Sequence, residues 1–76
     1  MTVTVYSKNN CVQCTATKRL LDKTGIDYTE VNIETDAAAY AFVKELGFQA
    51  APVVMIDGTE DAWSGFIPER ITALAA

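Results

Sequence analysis

TVTVYSKNNCVQCTATKRLLDKTG, residues 2–25, contains a strand, a polar turn, a pair of cysteines and a helix, in that order. β-branched and aromatic side chains alternate over residues 2–6, and this pattern predicts a short strand. Turn-forming residues follow at positions 7–10 and end the strand. From residue 12 onward the pattern becomes helical, with one apolar face and a glycine stop signal at Gly25. We therefore expect a first helix over about 12–25, with its apolar face formed by Ala16, Leu20 and Leu21.

The next segment predicts a second strand and a second helix. Residues 26–33 include apolar side chains at strand-like spacing. Polar residues 34–36 then predict the cap of a helix, and Gly47 predicts its end. Apolar residues recur in this helix at positions i, i+3, i+4 and i+7, a spacing that predicts a buried stripe. The predicted stripe consists of Ala39, Phe42, Val43 and Leu46.

The last third of the chain predicts a hairpin followed by a helix. Pro52 precedes the nearly all-apolar residues 53–56, which are typical of a strand covered on both faces. Asp57-Gly58 is a strong hairpin signal, so we expect residues 60–63 to return as an antiparallel edge strand. Pro68 marks the start of the last helix. Its buried side is predicted to carry Ile71, Leu74 and Ala75.

The predicted elements follow the order β-α-β-α-β-β-α. A parallel strand pair joined by a right-handed helical crossover, and extended by the hairpin, accounts for every apolar stripe. The sequence therefore predicts a three-layer α/β domain in which a four-stranded mixed sheet has helices on both faces. Since 76 residues can fill only one core, we expect a single domain over residues 1–76.

Composition and charge narrow the class of function. Half of the residues are hydrophobic, 21% are charged and the net charge is -4, which is typical of a globular domain rather than a disordered one. The six Lys and Arg residues are scattered, so we expect no nucleic-acid partner. No apolar run approaches the roughly 20 residues of a membrane span, and no charged-then-apolar leader opens the sequence. We therefore expect a cytoplasmic protein without membrane contact, and a monomer because no apolar stripe remains unpaired.

Cys11 and Cys14 stand where a strand ends and a helix begins. A Cys-x-x-Cys pair in this position indicates a redox motif. Free N–H groups and the positive end of the helix dipole stabilise a thiolate there, with added positive charge from Lys8, so Cys11 is the candidate nucleophile. Cys14 lies one turn further along and is placed to attack a mixed disulfide on Cys11. The chain has no histidine, which removes both an imidazole base and the commonest metal ligand.

Three other uses of the cysteine pair stay open. A zinc site would need further ligands from carboxylates or from a second chain, and we expect no metal. A purely structural disulfide across two intervening residues would restrict the unfolded chain very little. Two inert core cysteines are the third possibility, because free cysteine is often buried. The position at a helix start behind a polar loop favours the redox use over all three.

Two further segments have both a structural and a functional interpretation. Pro52 can simply fix the entry of the apolar strand, and the sequence alone favours this interpretation. Alternatively, a cis Ala51-Pro52 bond bends the loop beside the cysteines and leaves the backbone of Ala51 free to pair with a substrate. Trp63-Ser64-Gly65-Phe66 can supply core aromatics around a turn, or can form a surface patch near the cysteines. The residues alone favour neither interpretation of this aromatic segment.

Together these motifs resemble the NrdH-redoxin family, the glutaredoxin-like proteins of the thioredoxin superfamily. The resemblance covers the whole chain and rests on Cys11-Val12-Gln13-Cys14, Ala51-Pro52-Val53 and Trp63-Ser64-Gly65-Phe66-Ile67-Pro68-Glu69. It implies a thioredoxin/glutaredoxin-like fold and a dithiol that takes electrons from NADPH through thioredoxin reductase. It also implies delivery of those electrons to the large subunit of class Ib ribonucleotide reductase. No bound cofactor is implied, because NADPH is used by the reductase.

The resemblance also implies roles for individual residues. Cys11 resembles the family's nucleophile and Cys14 its resolving cysteine, and the two residues between them resemble the variable pair that tunes redox potential. Pro52 resembles the superfamily's cis-proline, which favours the functional interpretation of its loop. The segment 63–66 resembles one that organises a hydrogen-bonded loop facing the reductase. The residues expected to contact substrate or partner are Lys8, Val12, Gln13, Ala51, Pro52, Val53, Trp63, Ser64, Gly65 and Phe66.

The sequence departs from the NrdH-redoxin and glutaredoxin patterns at several positions, and these departures bear on its alternative functions. Ile67 stands where family members often have arginine, so we expect the hydrogen bonds of that guanidinium to be absent. A glutathione-dependent glutaredoxin is the first alternative, since Lys8 is placed to meet a carboxylate. Against it, Val12-Gln13 replaces the Pro-Tyr of dithiol glutaredoxins, and Ser64-Gly65 replaces their Gly-Gly element. A non-catalytic metal- or cluster-binding module built from two chains is the second alternative.

Overall fold

The computed structural model describes residues 2–75 and contains the seven predicted elements in the predicted order. The strands are β1 (Val3–Ser7), β2 (Tyr28–Asn32), β3 (Val53–Ile56) and β4 (Ala62–Ser64). The helices are α1 (Val12–Thr24), α2 (Ala37–Glu45) and α3 (Pro68–Ala75). The predicted fold class is confirmed.

The sheet is mixed and has the strand order β2-β1-β3-β4. β1 pairs in parallel with β2, so that Val5 lies opposite Glu30, and pairs antiparallel with β3. β3 and β4 form the predicted antiparallel hairpin, with β4 at the edge. β4 was predicted over residues 60–63 but runs over Ala62–Ser64, because the turn extends through Asp61, whose N–H donates to the Thr59 hydroxyl.

Helices cover both faces of the sheet. On one face α1 and α3 contribute Leu21 and Ile71 to a buried core. On the other face α2 packs on the sheet through Phe42, whose ring centroid lies 5.7 Å from that of Tyr6. Alternation along β1 sends Tyr6 to the α2 face and its neighbours to the core face. The buried core cluster consists of Val3, Val5, Leu21, Val54, Ile56, Trp63 and Ile71.

Three helix residues differ from the sequence prediction. Leu46 is 41% exposed because α2 ends one residue earlier and Leu46 is its C-cap, so its side chain does not continue the buried stripe. Ala75 is exposed at the last position of α3, beyond the part of that helix that packs on the core. Thr17 is fully buried in α1, whereas Ala16 is only half-buried. Burial of Thr17 is tolerated because its hydroxyl donates to the Gln13 carbonyl at 2.8 Å.

The helix ends use the predicted signals. Gly25 adopts a φ of 75°, which favours glycine, and its N–H donates to the Asp22 carbonyl at the end of α1. At the start of α2 the Asp36 carboxylate accepts the N–H of Ala39 at 3.0 Å. Within residues 2–75 there is no helix with the length and apolar character needed to cross a membrane.

Replacing Asp36 with alanine is expected to lower the free energy of unfolding by about 1 kcal/mol, because the N–H of Ala39 loses its acceptor. Asp36→Asn keeps an acceptor at the same position and serves as the matched control, with a much smaller loss. Urea denaturation followed by circular dichroism measures both variants. An alanine variant as stable as the parent protein would show that this cap does not stabilise α2.

Candidate active site

Cys11 and Cys14 form a disulfide at the start of α1, with their Cα atoms 5.2 Å apart. Cys11 is the N-cap residue and is half-buried, whereas Cys14 has an exposed fraction of 2%. The backbone N–H of Cys14 points at the Cys11 sulfur, with an N–S distance of 3.1 Å. Of the two sulfurs, Cys11 Sγ is therefore the one that a substrate can reach. The N–H and the helix dipole are placed to stabilise a thiolate on Cys11 once the disulfide is reduced.

The loop before β3 lies directly beside this disulfide. The Ala51–Pro52 peptide bond is cis, as the family resemblance implies, and the carbonyl oxygen of Ala51 lies 3.9 Å from Cys11 Sγ. Pro52 and Val53 are fully buried, backbone included, so neither is available to a partner. The half-buried Ala51 is therefore the residue of this loop that a partner can reach next to the reactive sulfur.

The end of β4 and the residues after it are hydrogen-bonded to the loop before β3 and to the start of α1. Gly65 donates its N–H to the Pro52 carbonyl at 2.8 Å, and the Ser64 hydroxyl donates to the Ala50 carbonyl at 2.7 Å. Gln13, inside the Cys-x-x-Cys motif, accepts the N–H of Phe66 through its side-chain Oε1 at 3.0 Å. Gly65 has a φ of 93°, a conformation that glycine adopts without strain. The helix start, the cis-proline loop and the segment after β4 are thus joined around Cys11.

The aromatic residues of this segment are divided between core and surface. Trp63 is 4% exposed because its register opposite Val54 turns it into the core. The Arg70 guanidinium lies 4.6 Å from the centre of the Trp63 ring and pairs with the Asp61 carboxylate at 2.7 Å. Phe66 lies at the surface and is 37% exposed. Trp63 therefore fits the interpretation of this segment as part of the core, and Phe66 fits its interpretation as a surface patch near the cysteines.

Exposed apolar side chains flank the disulfide on two sides. Val12, directly after Cys11, is 84% exposed, and Phe66 lies beyond Gln13. Ile67 is partly buried and packs against the core. Ile67 stands where family members often have arginine, but the guanidinium of Arg70, in the first turn of α3, contacts the ring of Trp63. Val12 and Phe66 therefore provide apolar contact area around the accessible sulfur.

A polar cavity of about 530 Å³ opens beside the disulfide. Both cysteines, Lys8, Lys18 and Glu30 contribute to its lining. Sequence analysis did not identify Glu30, which β2 supplies to this cavity. The parallel register of β1 and β2 brings Glu30 to this position, and that register was the signal that could have found it.

The Glu30 carboxylate is held by two donors. Its Oε2 atom accepts a hydrogen bond from Lys18 Nζ at 2.8 Å and another from the Ser7 hydroxyl at 2.7 Å. These hydrogen bonds, that from Lys18 foremost, hold the pKa of the Glu30 carboxyl below its usual range. Ser7 has an exposed fraction of 1%, although the sequence placed it in a turn. Among residues 2–75 no group of three or more Cys, Asp or Glu side chains is placed to hold a metal ion.

Comparison with known proteins agrees with this geometry. The glutaredoxin family model matches residues 3–60. The glutaredoxin-like protein NrdH of Salmonella typhimurium is 40% identical over 74 residues, which cover 97% of this chain and 89% of that protein. The NrdH of Lactococcus lactis subsp. cremoris is 45% identical over 73 residues, covering 96% and 99% of the two chains. The solved NrdH-redoxin of Escherichia coli superposes with a TM-score of 0.89 at 38% identity, covering 97% of this chain and 95% of its own. With its disulfide-bonded Cys-x-x-Cys motif at a helix start, the chain belongs to the glutaredoxin family as an NrdH-type thiol-disulfide oxidoreductase.

Proposed function

We propose that this protein is a dithiol electron donor, reduced by thioredoxin reductase at the expense of NADPH, that delivers electrons to class Ib ribonucleotide reductase. The observation that carries the proposal is the asymmetry of the disulfide, with a reachable Cys11 sulfur backed by a buried Cys14. The solved E. coli NrdH-redoxin is described as having a thioredoxin-like activity profile, which supports a thioredoxin reductase as the electron source. The similarity to NrdH proteins supports class Ib ribonucleotide reductase as the protein that receives the electrons.

The proposed exchange uses each sulfur once. The reduced Cys11 thiolate attacks a disulfide of the client, forms a mixed disulfide and releases one client thiol. Cys14 then attacks the Cys11 sulfur, closes the intramolecular disulfide and releases the second client thiol. Val12 and Phe66 supply apolar contact to the client, and the main chain at Ala51 pairs with an extended client segment. We propose that the protein acts as a monomer without a bound cofactor in the cytoplasm, where thiols are kept reduced.

A second candidate reductant is glutathione, and one cavity favours it. This cavity of about 540 Å³ lies beside Ala51 and includes Lys8 and Lys44 in its lining. Two ammonium groups near the cis-proline loop could receive the carboxylates of glutathione. Ser64-Gly65 in place of Gly-Gly argues against glutathione, so thioredoxin reductase remains the first candidate.

Replacing Cys14 with serine is expected to abolish turnover and trap a mixed disulfide on Cys11, because no second thiol remains to release the client. Mass spectrometry of the variant after incubation with an oxidised protein substrate should show a covalent adduct at Cys11. Cys11→Ser is the control and should give neither turnover nor an adduct. Full turnover of Cys14→Ser would show that Cys14 is not the resolving thiol.

A coupled assay of NADPH oxidation distinguishes the two electron sources. The oxidised protein is mixed with thioredoxin reductase in one cuvette, and with glutathione and glutathione reductase in the other. We expect rapid NADPH oxidation only in the first cuvette. Oxidation only in the second would identify glutathione as the reductant, and silence in both would contradict a role as electron donor.

Replacing Gln13 with alanine is expected to raise KM for a protein disulfide substrate about threefold to tenfold, with a smaller change in kcat. The Phe66 N–H loses its acceptor, and a hydrogen bond of this kind contributes about 0.5–1.5 kcal/mol. Lys23→Ala, at an exposed position in the last turn of α1 and far from the disulfide, is the control and should leave KM unchanged. An unchanged KM for Gln13→Ala would show that the link from Gln13 to Phe66 does not shape the client-binding surface.

A further inference from the structure

The Lys18–Glu30 ion pair shares a cavity with both cysteines, yet the exchange chemistry above makes no use of it. Lys18 lies one helical turn after Cys14 on α1. Glu30 projects from β2 and is fixed on two sides, by Lys18 and by the hydroxyl of the buried Ser7. The remaining ionisable group in the cavity lining is Lys8, which lies on the exposed loop before Cys11.

We propose that Glu30 and Lys18 set the reducing strength of the dithiol with opposite signs. Glu30 disfavours the thiolate of the reduced pair and so makes the protein a stronger reductant, while Lys18 partly offsets this effect. The inference rests on the proposed function, because a low reduction potential is useful to a protein that donates electrons. It adds to that function the two side chains that adjust the potential.

The sign follows from the charges of the two redox states. The disulfide is uncharged, so a nearby carboxylate has little effect on it. The reduced pair ionises to a thiolate, and a negative charge in the same cavity raises the free energy of that thiolate, whereas a cation lowers it. Glu30 therefore favours the disulfide and Lys18 the dithiol. Since the cavity is open to water, each effect is screened, and we expect a change of about threefold in the equilibrium constant.

Three variants test this proposal. Glu30→Gln removes the negative charge but keeps an oxygen that can accept from Ser7 and Lys18. Lys18→Met removes the positive charge and keeps most of the apolar stem, and the double variant removes both charges. Asp61→Asn is the matched control, because the Asp61–Arg70 pair has the same kind of geometry at 2.7 Å and neither residue lines the cavity. Thermal unfolding verifies that each variant is folded.

The measurement is the thiol-disulfide equilibrium of each purified protein against a reference dithiol of known potential at about pH 8. We expect Glu30→Gln to shift the equilibrium about threefold toward the dithiol, a rise in potential of about 14 mV. Lys18→Met should shift it about threefold toward the disulfide, and the double variant and Asp61→Asn should stay near the parent protein. Shifts of the same sign in the two single variants, or no shift in either, would overturn the proposal.

A second measurement separates charge from packing. In about 1 M salt the Debye length falls to roughly 3 Å, so the effect of a charge in this open cavity is screened. The shifts should therefore shrink at high salt, whereas a packing effect would persist, and persistence would overturn the proposal. Both measurements use the protein without thioredoxin reductase or a client. Failure of the coupled assay and failure of this inference are thus separate outcomes.

Discussion

The parallel pairing of β1 with β2 is the constraint on which the site depends. Parallel neighbours require a crossover, and here α1 provides it, so the end of β1 leads directly into the start of a helix. The cysteines occupy this helix start. The same pairing places the end of β2 beside the end of β1, where the Ile33 N–H donates to the Ser7 carbonyl at 2.8 Å. One strand pair thus supplies both the helix terminus that favours a thiolate and the neighbouring charges that modify it.

The asymmetry of the two sulfurs follows from the same helix start. Cys11 is the cap residue, with extended backbone angles, and its side chain lies outside the helical cylinder. Cys14 lies in the first turn, on the face that continues to Thr17 and Leu21 and packs on the sheet. A spacing of three residues therefore places one thiol at the surface and one in the core, while keeping their Cα atoms 5.2 Å apart. The start of α1 therefore makes the disulfide accessible at Cys11 and buried at Cys14.

The sequence predicts the parts of this structure that depend on local signals. The strand pattern of residues 2–6, the cysteine spacing and the stop at Gly25 are such signals, and the structure has all three features. Leu46 was placed wrongly because the exact end of α2, rather than its periodicity, decides whether that side chain is buried. The cis bond before Pro52 was implied only by the family resemblance, since the residues alone favoured the structural interpretation.

The features that sequence reasoning missed are those that depend on partners distant in the chain. Glu30 has no distinguishing local pattern, and it becomes part of the site only because β2 aligns it beside Ser7 and α1 brings Lys18 to the same oxygen. Gln13 is similar, since its acceptor role depends on Phe66, which lies 53 residues further along the chain. Lys8 is the charge beside the sulfurs that the sequence identifies, and the other charges in the cavity come from such neighbours. The motif identifies the reactive atoms, whereas the tertiary register determines the electrostatic environment in which they react.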